Sequence, residues 1–190
     1  MTSSETVHAS DLTGIMFADV SKIPANLWRW PNFSPQELAC KGSGKIMVDE
    51  YALDLLQALR NRLNAPMIVT SAFRSPAHNA AVGGAKNSMH KLARAFDISQ
   101  GNHDPAEFES AARAVGFTGF GFYPPKPNGG HNFMHIDTGR ARQWGERWTI
   151  TKLPDADNHD VHGAADANSP QVAPFAFGQR RPKRRFAPRP

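Results

Sequence analysis

Two short stretches restrict what this chain can fold into more than anything else in it: N-S-M-H-K-L-A-R-A-F-D-I-S from Asn87 to Ser99, and N-F-M-H-I-D from Asn132 to Asp137. His90 and Asp97 stand seven residues apart, too far for neighbouring turns of one helix, where paired ligands sit at i and i+4. A loop leading into a strand suits that spacing better. Arg94 to Ile98 reads as the strand, with Ala95 and Asp97 on one face and Phe96 and Ile98 on the other. In the second stretch Phe133, His135 and Asp137 share a face while Met134 and Ile136 turn toward a core. Both strands aim polar groups out of apolar surroundings.

Such groups need partners, because burying an unpaired charge is costly. Taken singly, each reads as an ordinary hydrogen-bonded polar residue; taken together, they suit a divalent cation, which satisfies imidazole and carboxylate at once. With His90, Asp97 and His135 as ligands, zinc would keep a fourth tetrahedral position for water, the catalytic rather than the structural pattern. Bound there, zinc would lower the pKa of that water and supply a nucleophile at neutral pH without one from the protein.

The spacing resembles that of the zinc D-alanyl-D-alanine carboxypeptidases, a family that includes phage endolysins of the L-Ala-D-Glu peptidase type and shares its fold with the Hedgehog signalling domain. The family signature is S-x-H-x-x-G-x-A-x-D followed by a late histidine, matched here by Ser88, His90, Ala93, Ala95, Asp97 and His135. F-S-P-Q-E-L-A-C and S-A-F-R-S-P-A-H-N-A-A-V-G-G-A-K-N-S-M-H also resemble the family, so the likeness runs from about Phe33 to Gly139. Ala93 departs from it, standing where glycine is usual; if that position requires positive φ, alanine is strained there.

The resemblance implies an α+β domain whose small antiparallel sheet carries a zinc site, with helices packed on it. It implies hydrolysis of the peptide stem of bacterial peptidoglycan, either as a carboxypeptidase at D-Ala-D-Ala or as an endopeptidase at another stem bond. Arg74 matches the arginine that holds substrate or stabilises developing charge, and its planar fork suits a carboxylate. Ser88 binds substrate or caps its turn. The usual general base is missing: the family places a glutamate three residues before the last ligand or a histidine two before it, and Asn132 and Phe133 stand there. Asp137 is the first substitute, as base or as a carboxylate orienting a histidine, and His131 the second. The missing bases motivate a rival reading: a non-catalytic structural or wall-binding module that keeps the peptidase fold within a phage particle.

The remaining chain divides into an N-terminal arm over 1–32, the peptidase domain over 33–150 and an extended basic tail over 151–190. Trp28, Trp30 and Phe33 are expected to pack the arm onto the domain. Ser34, Pro35 and Glu37 read as a capped helix start. Asp49 caps a second helix from Glu50 to about Leu63, with Ala52, Leu55, Leu56, Leu59 and Leu63 as its apolar stripe. Pro66 to Phe73 reads as a buried strand delivering Arg74, and Ser75 and Pro76 start a short helix that Gly83 and Gly84 stop. Asp104, Pro105 and Glu107 open another helix ending near Gly116, followed by a strand over Gly119 to Tyr123 and a Pro/Gly-rich loop over Pro124 to Gly130. Tyr123 and Trp144 read as cleft or core residues, and His78, His103, His159 and His162 as surface residues.

Cys40 is the sole cysteine, which excludes an intrachain disulfide and a cysteine metal cluster, and it reads as a small helix residue. No run approaches the roughly eighteen apolar residues of a membrane span. No Sec signal is apparent in M-T-S-S-E-T-V-H, so a cell-wall enzyme of this kind would be expected to arrive by lysis, through a holin-type pore or inside a virion. Of the net charge of +5, six positive charges lie in residues 180–190 without an acid, so the rest of the chain is near −1. That tail could attract virion proteins, anionic lipid or acidic envelope polymers. For nucleic acid it has only its charge to offer.

Overall fold

The computed structural model describes residues 14–126 and 132–149. A two-stranded ribbon pairs β1 (Ile15–Phe17) antiparallel with β2 (Ile46–Val48). The main sheet has five strands in the order β3 (Val69–Ser71), β4 (Ala95–Ser99), β6 (Phe133–Asp137), β5 (Gly119–Tyr123) and β7 (Arg142–Gly145). Its pairings are antiparallel except at the edge, where β7 runs parallel to β5. The sheet expected to be wholly antiparallel therefore has one parallel edge strand, whose Arg-Gln-Trp-Gly sequence is exposed throughout and lacks an alternating apolar pattern.

The two long helices follow from local signals. Asp49 accepts from Ala52 N at the start of α2 (Glu50–Leu63), and Asn64 ends it in the left-handed region. Asp104 accepts from two backbone N–H groups at the start of α4 (Pro105–Val115), and Gly116 closes it at φ 118°. The expected stripe of α2 holds at Ala52, Leu56 and Leu59; Leu53 is buried as well, whereas Leu55 and Leu63 lie at the margin. Ser34 and Glu37 form the full capping box of α1, which is only Pro35–Leu38. α3 spans Pro76–Ala81.

The alternation of the strands decides where the core sits. Phe96, Ile98, Phe120, Phe122, Met134 and Ile136 leave one face of the sheet and pack with Leu56, Leu59, Phe108 and Ala112 of α2 and α4. Trp30 is buried in the same core and its indole N–H donates to Asp54, while Arg29 pairs with Glu50 and Asp54 on α2. The opposite face of the sheet, away from α2 and α4, carries the polar residues.

Three expectations need correction. The strand proposed over Pro66 to Phe73 is ordered as a strand only over Val69–Ser71, with a register irregularity against β4. His103 is buried rather than on the surface, with its ring against Phe108. Cys40 lies beyond α1, buried, with its sulfur 3.3 Å from His78 Nδ1 and accepting from Ser75 N. His131, the 127–131 segment, His159, His162 and the basic tail fall outside the described residues.

Candidate metal centre

Strand register assembles the site. Asp97 on β4 stands opposite His135 on β6, which stands opposite Gly121 on β5, which stands beside Trp144 on β7. One rung of the sheet thus runs from carboxylate to imidazole to glycine to indole, all on the face away from the helices. The neighbouring rung runs Ala95, Asp137, Gly119, Arg142.

His90 arrives from outside the sheet, on a 3-10 turn over Met89–Leu92. That turn reverses at Ala93, at φ 56° and ψ 26°, and Arg94 N then bonds back to Met89 O at 3.1 Å before β4 begins. The glycine-preferring position is therefore left-handed as expected, and alanine occupies it, buried against Cys40 and Phe73. Arg74 N donates to His90 O at 3.0 Å, tying the segment after β3 to this turn.

Three heteroatoms converge. His90 Nε2 is 3.2 Å from Asp97 Oδ1 and 3.2 Å from His135 Nδ1, and His135 Nδ1 is 2.8 Å from Asp97 Oδ1. The partners behind the rings fix what converges. His90 Nδ1 faces the carbonyl of Ala72 at 2.6 Å, which can only accept, so this nitrogen carries the hydrogen and Nε2 keeps its lone pair. His135 has a carboxylate oxygen at each nitrogen, Asp137 Oδ2 at 2.9 Å from Nε2 and Asp97 Oδ1 at 2.8 Å from Nδ1; with a cation at the point of convergence, Nε2 would donate to Asp137 and Nδ1 would offer its lone pair. Two imidazole nitrogens and a carboxylate oxygen, all from buried residues, converge on one place. Such a set fits a divalent cation: imidazole and carboxylate are zinc ligands, and each histidine has the carbonyl or carboxylate behind it that metal-binding histidines use.

The charges around the trio are compensated. Burial would raise the pKa of Asp97, but the two imidazoles beside it, His135 ahead of His90, outweigh it and hold the carboxyl well below the usual range. Its other oxygen accepts from Arg74 Nη2, while Arg74 Nε donates to Ser71 Oγ at 2.8 Å. Burial opposes a charge on His135 as well, yet its bonds to Asp137 and Asp97 prevail and raise its proton affinity above that of an ordinary imidazole. Asp137 is also lowered: burial works against it, and His135, Arg142 and the Gly139 N–H more than offset that.

These atoms form the floor of a cleft of about 560 Å³ whose lining includes Arg74, Ser88, His90, Asp97, His135, Tyr123 and Trp144. Ser88 makes no side-chain cap bond, so its hydroxyl is not committed to the turn. Asp137 does not line the cleft; it is fully buried behind His135, on the far side of the ring from Asp97. Asp97 is the only carboxylate among the described lining residues. Tyr123 and Trp144 belong to the cleft rather than the core, the indole N–H donating to the phenol oxygen at 3.0 Å.

Three contributors were not foreseen from sequence: Arg142, Gly119 and Gly121. The signal was the alternation in G-F-G-F-Y, where glycines on one strand face mark close approach of another group. A Cβ on Gly121 would sit 2.5 Å from the Trp144 ring, and one on Gly119 2.3 Å from Asp137 Oδ1.

Two imidazoles and a carboxylate set in an open cleft, on a sheet backed by helices, could hold a metal ion and would leave it a coordination position to spare. The chain belongs to the peptidase M15 family, whose model matches residues 31–137. It is 38% identical over 91 residues to the "Zinc D-Ala-D-Ala carboxypeptidase" of Streptomyces albus G, covering 47% of this chain and 34% of that protein. It is 34% identical over 86 residues to the "Probable peptidoglycan L,D-endopeptidase MepK" of Haemophilus influenzae, covering 43% of this chain and 44% of that protein. The chain thus spans less than half the length of either relative. Among the described residues no helix is long and apolar enough to cross a membrane.

Proposed function

We propose that this chain is a zinc-dependent peptidase that hydrolyses the stem peptides of bacterial peptidoglycan. The observation that carries the reading is the convergence of His90 Nε2, His135 Nδ1 and Asp97 Oδ1 at the cleft floor, with the other nitrogen of each ring held by an acceptor, the Ala72 carbonyl or the Asp137 carboxylate. Family membership, one relative named for D-Ala-D-Ala and another named for peptidoglycan support the substrate class.

When bound by these three residues, zinc would supply a Lewis acid that activates water and polarises the scissile carbonyl. Arg74 keeps Asp97 turned inward and, at the cleft wall, presents its guanidinium to a substrate carboxylate. Ser88, with its hydroxyl uncommitted, donates to the peptide backbone. Asp137 is occupied by His135, Arg142 and Gly139, an arrangement that favours orienting His135 over taking a proton from water. His131 is then the base to test, and it would act from the glycine-rich loop. A protein of this kind works outside the cytosol, after lysis, after export or from a virion, with the basic tail contacting envelope polymer.

Mass spectrometry of purified peptidoglycan fragments incubated with the zinc-loaded protein tests the reading, with His90→Ala as control. Loss of a terminal alanine identifies a carboxypeptidase, and a cut within the stem or cross-bridge an endopeptidase. Intact fragments despite bound zinc would instead support the non-catalytic module, a reading favoured by the lack of a second carboxylate among the described cleft residues.

A further inference from the structure

Arg142 is an unusual residue to find beside a cation site, and what it touches explains its presence. It lies on the edge strand β7, two strands away from His135, across from Gly119. Because Gly119 has no side chain, the Arg142 guanidinium reaches over that strand and grips Asp137 with both terminal nitrogens: Nη1 to Oδ1 at 3.0 Å and Nη2 to Oδ2 at 2.7 Å. Gly139 N adds a third bond to Oδ1 at 2.8 Å, and His135 Nε2 a fourth to Oδ2 at 2.9 Å. Nη1 also donates to the Arg140 carbonyl at 3.0 Å, and the guanidinium lies 5.2 Å from the Trp144 ring centre. That indole packs against His135 at 5.1 Å between ring centres. The imidazole of His135 is thus set from behind by a carboxylate whose plane a bidentate arginine fixes, and from the side by an indole seated over Gly121.

We infer that Arg142 is a positioning residue for the metal centre. It lines the cleft beside Trp144 but bonds none of the converging atoms; on this inference it acts through Asp137. The second torsion of a histidine is broad and two-fold, so a ring with no fixed partner samples orientations in which Nδ1 no longer faces His90 and Asp97. A carboxylate alone narrows that range, and a carboxylate locked by a planar fork narrows it further. Partners behind a ligand of this kind change metal affinity by about 10- to 100-fold when removed. The G-F-G-F-Y strand and the arginine five residues after Asp137 are on this view one device: the glycine provides the passage and the arginine uses it.

The inference rests on the proposed zinc site, and the test separates the two. Zinc affinity of the full chain is measured by competition with a chromophoric chelator for wild type, Arg142→Met, Arg142→Lys and Arg147→Met, with circular dichroism and thermal melting on each. Arg147→Met removes an arginine paired with Glu109 on the helix side of the sheet and controls for general destabilisation. Expected are about 10-fold or greater weakening for Arg142→Met, a smaller loss for Arg142→Lys, which keeps the charge but not the fork, and no change for Arg147→Met. If Arg142→Met does not fold, the Arg142→Lys affinity and the ring nitrogen shifts of His135 in the metal-free protein carry the decision. Arg142 variants that fold and bind zinc within about 2-fold of wild type overturn the inference. A wild type with no measurable zinc affinity overturns the proposed function and this inference with it, a result distinct from equal affinities.

Discussion

Replacing Ala93 by glycine tests whether the turn that presents His90 is strained. Ala93 sits at φ 56°, where an L residue with a Cβ is disfavoured by about 1–2 kcal/mol. Glycine relieves that strain and removes two stabilising contributions. One is burial of a methyl that is 5% exposed against Cys40 and Phe73, worth about 0.8 kcal/mol. The other is the lower chain entropy of unfolded alanine, about 0.4–1 kcal/mol. The two sides offset to within about 1 kcal/mol, so Ala93→Gly should leave stability almost unchanged. Ala112→Gly is the comparison: it is fully buried inside α4 and has no strain to relieve. It loses the same methyl and about 1 kcal/mol of helix propensity, close to 2 kcal/mol together. For a domain of this size 1 kcal/mol moves the melting midpoint by about 4 °C, so the two variants should differ by about 4–8 °C in a calorimetric melt. If Ala93→Gly falls as far as Ala112→Gly, the left-handed turn carries no strain and the reasoning fails.

Other outcomes follow from the same geometry. Gly121→Ala should expel the Trp144 indole, because the added Cβ would lie 2.5 Å from its ring; near-ultraviolet circular dichroism should lose the corresponding tryptophan signal, and an unchanged spectrum would contradict the packing. Arg74→Lys cannot bond Ser71 and Asp97 from one planar group, so zinc affinity and turnover should both fall, by about tenfold or more, and a fully active lysine variant would remove Arg74 from this role. In the metal-free protein Asp97 and Asp137 titrate below the ordinary 3.8, so their stabilisation is present above that value and lost as pH falls through the lowered ones. His135 titrates above the ordinary 6.5, so its contribution is present below 6.5 and lost as pH rises through the raised value. Melting of the chelator-treated protein should therefore peak in mildly acidic buffer. Zinc must displace that proton, so its affinity should weaken about tenfold per pH unit below the raised value.

Features set by neighbours in the chain were legible from the start. Asp49 and Asp104 announce their helices because a capping oxygen acts within three residues, and Gly116 ends one because the left-handed cap is local. The inward and outward faces of β4 and β6 follow from period-two alternation, which is why His90, Asp97 and His135 could be grouped before their distances were known. Features set across the sheet were harder to read. The three-residue strands of the β1–β2 ribbon and the exposed β7 have too few residues, or too little alternation, to announce a partner. Asp137 read equally well as base or orienting carboxylate because its burial depends on Arg142 reaching over Gly119, a contact that needs the parallel pairing of β7 with β5. His103 was misread as a surface residue because nothing in its local sequence signals the packing of its ring on Phe108.

The most direct test of the central claim is the zinc content of the purified, dialysed protein by elemental mass spectrometry, for wild type and for His90→Ala and His135→Ala. The geometry predicts one zinc per wild-type chain and close to none in either variant. A wild type that retains no zinc, or variants that retain it undiminished, would contradict the assignment of the converging trio as a metal centre.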